Sequence, residues 1–337
     1  MPLDDARLEQ VTAWLASLPR QHRIDPATLT VASADASFRR YFRVAAGSES
    51  RIVMDAPPGK EDVRPFIHVA TLLRAAGLNA PEVIEADERQ GFLLLSDLGR
   101  DTYLAVLNEG NAPQLFSDAI DALVRWQLAS RPGELPTYDE ALLRRELDLF
   151  PDWYVARHLN HELTPAQRDA LEAMFRRILA SNLAQPAVYV HRDYMPRNLM
   201  VAAPNPGVLD FQDAVMGPIS YDVASLFRDA FVSWDEERVI DWSIRYWERA
   251  RRAGLPVAAD FGSFWRDFEW MGLQRHLKVL GIFARINYRD GKPHYLADTP
   301  RFVGYVRSVA RRYDELAPLA RLLDELEGIA RRVGYTF

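Results

Sequence analysis

The run His191-Arg192-Asp193-Tyr194-Met195-Pro196-Arg197-Asn198, with Asp210-Phe211 following, holds three polar groups that suit one kind of chemistry. Transfer of a phosphoryl group needs a carboxylate beside the attacking hydroxyl. It also needs an amide oxygen and a second carboxylate to hold a divalent cation on nucleotide phosphates. Asp193, Asn198 and Asp210 offer these at the spacing His-Arg-Asp-x4-Asn, then Asp after a short apolar pair. Four fixed residue types at set offsets arise by chance in a chain of this length with odds on the order of one in a thousand. The competing reading is a surface turn that Asp193 and Asn198 merely stabilise. Structural context decides between them, because a motif counts only on the right elements.

Those elements are legible from periodicity. An amphipathic helix is expected over 4–18, with Leu8, Val11, Leu15 and Leu18 on one stripe and Asp4 or Asp5 as its cap. Strands are expected at 29–32, 38–44, from 52, at 83–86 and at 92–95, with one helix beginning after Asp62. Helices then dominate, near 101–108, 112–129, 140–149, 165–182, 221–231, 235–253, 260–288 and 301–333. One strand region interrupts them: 187–190 enters the His-Arg-Asp loop, and 199–201 and 208–209 flank the turn Pro204-Asn205-Pro206-Gly207. The motif therefore lies on loops between short strands, and Asp210 closes a strand.

Composition narrows the class. A chain of 337 residues suits two lobes, and 48% hydrophobic with 26% charged residues matches a globular protein. No apolar run reaches a membrane span, and the acidic start Met1-Pro2-Leu3-Asp4-Asp5 lacks a signal pattern. There are no cysteines, which excludes disulfides and thiolate chemistry. The expectation is a cytoplasmic protein without membrane partners. A net charge of −6 argues against nucleic-acid binding. The charge is uneven: residues 251–337 carry a net +5 and the first 250 a net −11. Solvated helix faces explain this as well as an anion site does. The seven histidines show no metal-ligand spacing.

Taken together, the strand-rich start, the loop His191–Asn198 and the stretches Val208-Leu209-Asp210-Phe211 and Tyr221-Asp222-Val223-Ala224-Ser225-Leu226 resemble the aminoglycoside phosphotransferase-like kinases. Longer stretches are similar to one branch, the bacterial anomeric kinases of N-acetylmuramate and N-acetylglucosamine used in cell-wall recycling. These are Ser33 to Arg43, Val53 to Pro58, Gly91 to Gly99, Leu142 to Glu146, His191 to Met200, Gly207 to Gly217 and Gln274 to Lys278. The resemblance implies an α+β, protein-kinase-like bilobal fold with an antiparallel-sheet N-lobe and a mostly helical C-lobe. Its expected divisions are 1–95 for the nucleotide lobe, 96–99 for the hinge and 100–337 for the catalytic and substrate lobe. ATP and Mg2+ are the implied cofactors and a small-molecule sugar the partner. Oligomeric state is left open, a monomer being sufficient.

The same resemblance assigns roles. Asp193 would orient the acceptor hydroxyl and take its proton, while Asn198 and Asp210 would hold magnesium. The backbone from Leu94 to Asp97, Leu95 included, would meet adenine where the nucleotide lobe runs into the hinge. His191 and Asp222 would support the loop, Asp222 serving equally well as a plain helix cap. Ser33 and Ser37 stand where many relatives have a glycine-rich phosphate loop; an ordinary hairpin turn is the alternative. Relatives often place a lysine or arginine on the third strand, whereas Ile52-Val53-Met54-Asp55-Ala56 offers none. Arg43 or Arg40 on the preceding strand are substitutes, unless they simply face solvent.

For the acceptor, Gln274, Lys278 and Arg285 recur at helical spacing with Arg275 adjacent, opposite Leu273, Leu277, Leu280 and Ala284. A basic face suits an acidic sugar and repels a polycationic aminoglycoside. Glu146 and Trp153 would add a carboxylate and a ring for a pyranose, though aromatics at this spacing also build cores. The expected function is an ATP-dependent kinase for the C1 hydroxyl of N-acetylmuramate and N-acetylglucosamine. Aminoglycoside, choline or homoserine kinases and a nucleotide-binding pseudokinase are the alternatives.

Overall fold

The computed structural model describes residues 6–34 and 38–328, with the backbone alone at Ser33 and Ala34. Contacts divide the chain into two compact units. One reaches to Trp126 and includes Arg197–Asp213; the other comprises Gln127–Pro196 and the chain from Ala214 onward.

The first unit begins with α1 (Ala6–Ser17) and an antiparallel meander, β1 (Ile24–Ala34), β2 (Arg40–Ala46) and β3 (Glu49–Asp55). Helix α2 (Arg64–Ala75) precedes β4 (Val83–Asp87) and β5 (Phe92–Ser96), and the sheet order is β1-β2-β3-β5-β4. Period-two alternation gives this sheet two distinct faces. Phe42, Val44, Val53, Phe92 and Leu94 turn to one side and bury Val11, Trp14 and Leu15 of α1. Each such side chain contributes roughly 1.5–3 kcal/mol by leaving water. The register Arg43↔Ile52 and Ile52↔Leu95 sets those three residues in a row on the other face. Between β4 and β5 the chain needs a glycine. Gly91 has φ +74, and a Cβ there would lie 1.9 Å from the Ala56 carbonyl oxygen. The short α3 (Tyr103–Val106) follows, and α4 (Ala112–Leu128) leads out of the unit.

The second unit is mostly helical. Helix α5 (Glu140–Leu149) starts at Asp139, whose side chain accepts from Leu142 N, and matches the expected span. A proline inside a helical path usually ends it, and Pro151 comes just after α5. Instead Phe150–His158 continues as a π-helix, whose wider turn tolerates the missing proline N–H. Helix α6 (Pro165–Leu183) opens with a capping box at Thr164 and Gln167. Strand β6 (Ala187–Val190) enters the His-Arg-Asp loop. In the first unit, β7 (Leu199–Met200) and β8 (Gly207–Val208) form the hairpin that carries Asn198 and precedes Asp210. Back in the second, β9 (Val215–Pro218), a strand the periodicity did not reveal, pairs antiparallel with β6.

Helices α7 (Tyr221–Phe227), α8 (Glu236–Arg252) and α9 (Phe261–Asp290) follow. Helix α9 is capped by Asp260 and ended by Gly291 at φ 68. It presses so closely on α5 that a Cβ at Gly281 would fall 2.3 Å from the Leu149 carbonyl carbon. The single helix expected over 301–333 is two, α10 (Thr299–Arg312) and α11 (Ala317–Leu326). Tyr313 turns extended between them, and a proline fits the first turn of α11. The end of that expected span, 329–333, and the caps Asp4 and Asp5 lie outside the described residues.

Candidate active site

In the first unit, a cavity of about 470 Å³ opens beside the Arg43–Ile52–Leu95 row. Its wall includes Tyr41, Asp97, Gly99, Asn198 and Asp210. A shallower depression of about 600 Å³ along Pro58–Arg64 contains none of the candidate catalytic, metal-binding or ligand-binding residues. Asp97 is the charged centre of the cavity. Its carboxylate accepts from Arg43 Nε at 2.5 Å and Nη2 at 3.0 Å, from Ser50 Oγ at 2.6 Å and from Gly99 N at 3.0 Å. Burial works against the Asp97 charge, but Arg43, Ser50 and Gly99 outweigh it and hold its carboxyl below the ordinary value. Arg43 thus faces the cavity with its guanidinium closed on Asp97. Arg40 is turned elsewhere, onto the buried Asp55 at 2.6 Å. Met54 is fully buried, and the single base on β3, Arg51, pairs with Glu49 at 2.6 Å. Ser33, next to last in β1, pairs with Tyr41; Ser37 lies outside the described residues.

The hairpin bearing Asn198 and Asp210 is fastened within the same unit. Asn79 Nδ2 donates to Pro204 O at 2.7 Å, and Val208 N to Asn79 O at 2.8 Å. Asn205 Nδ2 reaches Tyr103 Oη at 2.8 Å and Asp118 Oδ2 at 2.6 Å. So held, Asn198 Nδ2 stands 3.3 Å from Asp210 Oδ2, and Gln212 Nε2 donates to Asp210 Oδ1 at 2.9 Å. Asp210 itself has φ 61, a left-handed backbone that costs a non-glycine residue about 1–3 kcal/mol and clusters at working sites. Among the described residues no group of three or more His, Asp or Glu is disposed to hold a metal unaided. Asn198 and Asp210 supply two hard oxygen-bearing side chains side by side. That fits magnesium, which is commonly bound by one or two carboxylates plus phosphate oxygens.

In the second unit, the pairing of β6 with β9 ties the loop's leading strand to the segment that enters α7. Ser220, not Asp222, is the cap residue of α7; its hydroxyl makes no capping bond to the helix and donates to Gln185 Oε1 at 2.6 Å instead. Asp222, fully buried in the first turn, accepts from His191 N at 2.7 Å and Arg192 N at 3.0 Å. Burial pushes its carboxyl up to about 7; the two N–H groups and Arg275 oppose this, and Asp193 adds to it. Arg192 takes φ 76. Asp193 then projects with its side chain 42% exposed, its own N–H donating to Nδ1 of the buried His191 at 3.3 Å. Arg275 Nη2 lies 4.0 Å from Asp193 Oδ1.

The residues expected to face a sugar are largely internal. Glu146, Gln274, Arg275 and Lys278 are all buried. Glu146 Oε1 accepts from Arg192 Nη2 at 2.6 Å and Lys278 Nζ at 2.8 Å. Oε2 accepts from Tyr138 Oη and from Gln274 Nε2 at 3.2 Å. Lys278 Nζ also reaches Tyr221 Oη at 3.0 Å. Burial disfavours the Glu146 charge, but Lys278 and Arg192 prevail and hold it at about 2. On α9, Lys278 is therefore paired inside a buried cluster in which one carboxylate, Glu146, faces two cations, and Arg275 lies beside Asp193. Trp153 is half-buried on the π-helix, beside a shallow surface depression with Asp152 and Arg157. Tyr154 is buried and stacks on Phe150 at 5.6 Å. The sequence did not mark Arg192 and Tyr138 as partners of Glu146, or Tyr221 as the partner of Lys278. Periodicity cannot link residues this far apart, although the middle position of the His-Arg-Asp motif marked Arg192 for notice.

The phosphotransferase enzyme family matches residues 28–268. The N-acetylmuramate/N-acetylglucosamine kinase of Pseudomonas aeruginosa is 54% identical over 330 residues, covering 96% of this chain and 98% of that protein. The kinase of the same name from Pseudomonas putida is 52% identical, covering 98% of this chain and 100% of that protein. Among solved structures, the choline kinase LicA from Streptococcus pneumoniae superposes with a TM-score of 0.62 at 14% identity, over 89% of this chain and 97% of that one. That likeness establishes the kinase-like fold: an antiparallel sheet at the start and a mostly helical remainder. No helix among the described residues is long and apolar enough to cross a membrane.

Proposed function

We propose, from the premise that this chain belongs to the phosphotransferase enzyme family, that it moves the γ-phosphoryl group of ATP to the anomeric hydroxyl of N-acetylmuramate and N-acetylglucosamine. The products are the 1-phosphates, and the context is recycling of cell-wall sugars in the cytoplasm. Identity above half, spread over 96% of the chain, is the observation that carries the acceptor. The geometry carries the reaction type. Asp193 is half-exposed on a loop whose backbone is tied at two N–H groups, which suits a carboxylate that orients a hydroxyl and accepts its proton. Arg275, 4.0 Å away, keeps positive charge near that carboxylate and suits an acidic acceptor. The cavity of about 470 Å³ is the nucleotide site in this reading, with Leu95 against the base and the Arg43–Asp97 pair on its wall. Asn198 and Asp210 would hold magnesium, which when bound neutralises charge on the nucleotide phosphates.

Phosphorus NMR of the purified protein with ATP, magnesium and each sugar tests the proposal. A product phosphate coupled to the anomeric proton is expected from both sugars. Turnover of neither, alongside turnover of choline, homoserine or an aminoglycoside, would overturn it.

A further inference from the structure

We infer that Glu146 is a positioning residue that acts through Arg192: it anchors the side chain next to Asp193 and so sets where Asp193 meets the acceptor. This rests on the role given to Asp193 above. Lone pairs supply the first argument. A carboxylate has about four acceptor sites. Those of Glu146 are met by four donors: Arg192 and Lys278 on Oε1, Tyr138 and Gln274 on Oε2. Its side chain is 7% exposed. A sugar hydroxyl would have to displace a protein donor to reach it.

Strain at the loop is the second argument. Arg192 sits at φ 76, a backbone state that an arginine keeps only when its surroundings impose it. Asp222 holds the backbone side of this residue through the N–H groups of His191 and Arg192. Glu146 holds the side-chain side, and the guanidinium also lies 5.5 Å from the centre of the Tyr138 ring. The two restraints are joined, since Lys278 bridges Glu146 and the hydroxyl of Tyr221, the residue before Asp222. Glu146 stands on α5 and Lys278 on α9, so the anchor is built on helices rather than on the loop it orders.

Glu146→Gln tests this, because it keeps the shape and one acceptor oxygen but removes the charge that holds Arg192. The assay uses the full chain and whichever acceptor the wild type turns over. The expected result is a loss in kcat of about tenfold to a hundredfold, from misplacement of Asp193, with KM for sugar and nucleotide within about threefold. Arg192→Met should lower kcat similarly, and the double variant should be no worse than the poorer single one. A Glu146→Gln enzyme with kcat within about twofold of wild type overturns the inference. So does a rise in sugar KM at unchanged kcat, the signature of direct contact, or effects that multiply in the double variant. If Glu146→Gln fails to fold by circular dichroism, Arg192→Met decides alone, and retained kcat overturns the inference. A wild type inactive on both amino sugars would instead count against the proposed function.

Discussion

Replacing Asp222 separates stability from catalysis, because the two terms it contributes nearly cancel. In Asp222→Ala, His191 N and Arg192 N lose an acceptor in a place without solvent. Each orphaned donor costs roughly 1–3 kcal/mol, so about 2–6 kcal/mol in all. Against that, the buried carboxylate is itself unfavourable once ionised. Its pKa rises from 3.8 to about 7, which at 1.36 kcal/mol per unit is about 4 kcal/mol above neutral pH. The sum at pH 8 is within a few kcal/mol of zero, while the loop that carries Asp193 loses its backbone restraint. The expected outcome is a kcat about a hundredfold lower or worse, with nucleotide KM and the thermal midpoint little changed. The pH dependence has a definite sign. The folded-state pKa lies above the unfolded one, so the stability due to protonated Asp222 is full below about 3.8 and is lost as pH rises to about 7. The stability advantage of wild type over the variant should therefore be larger at pH 5 than at pH 8, by about 3 kcal/mol. Asp193 and Arg275 are the charged neighbours that tune the midpoint. Thermal or urea melts at both pH values, beside steady-state kinetics, measure all of this. A variant with wild-type kcat, or a stability difference independent of pH, refutes the reasoning.

Three further outcomes are expected. Asp210→Ala should raise the magnesium needed for half-maximal rate by about tenfold or more, read from metal titrations of the initial rate; an unchanged requirement would remove Asp210 from the metal site. Arg43→Ala removes the counter-charge of Asp97 on the cavity wall, leaving Ser50 and Gly99 as its donors, and should raise nucleotide KM by roughly tenfold while leaving sugar KM alone, because the pair lies in the cavity assigned to the nucleotide. Gly91→Ala and Gly281→Ala should each destabilise by about 1–3 kcal/mol or more, since the added Cβ meets the Ala56 carbonyl oxygen at 1.9 Å or the Leu149 carbonyl carbon at 2.3 Å. Thermal midpoints equal to wild type would contradict those close approaches.

The sequence by itself determined the reaction class and most of the elements. The spacing of Asp193, Asn198 and Asp210 is a local property, and helix periodicity is local too, so 140–149 and 112–129 were readable to within a residue. Where elements depend on distant partners, reading failed. Strand β9 exists because β6 pairs with it, and the π-helix because Phe150–His158 must pass Pro151 while packed on α9. Only the tertiary structure decided what the charges do. Gln274 and Lys278 have the spacing of a basic helical face, yet both are buried, because Glu146 is there to accept from them. Arg43 read as a stand-in for a third-strand base or as a solvent-facing strand residue, and the structure pairs it with Asp97. A charge in sequence has no sign of burial or partner attached. Desolvation and the nearest counter-charge set its role, and both are properties of the folded chain.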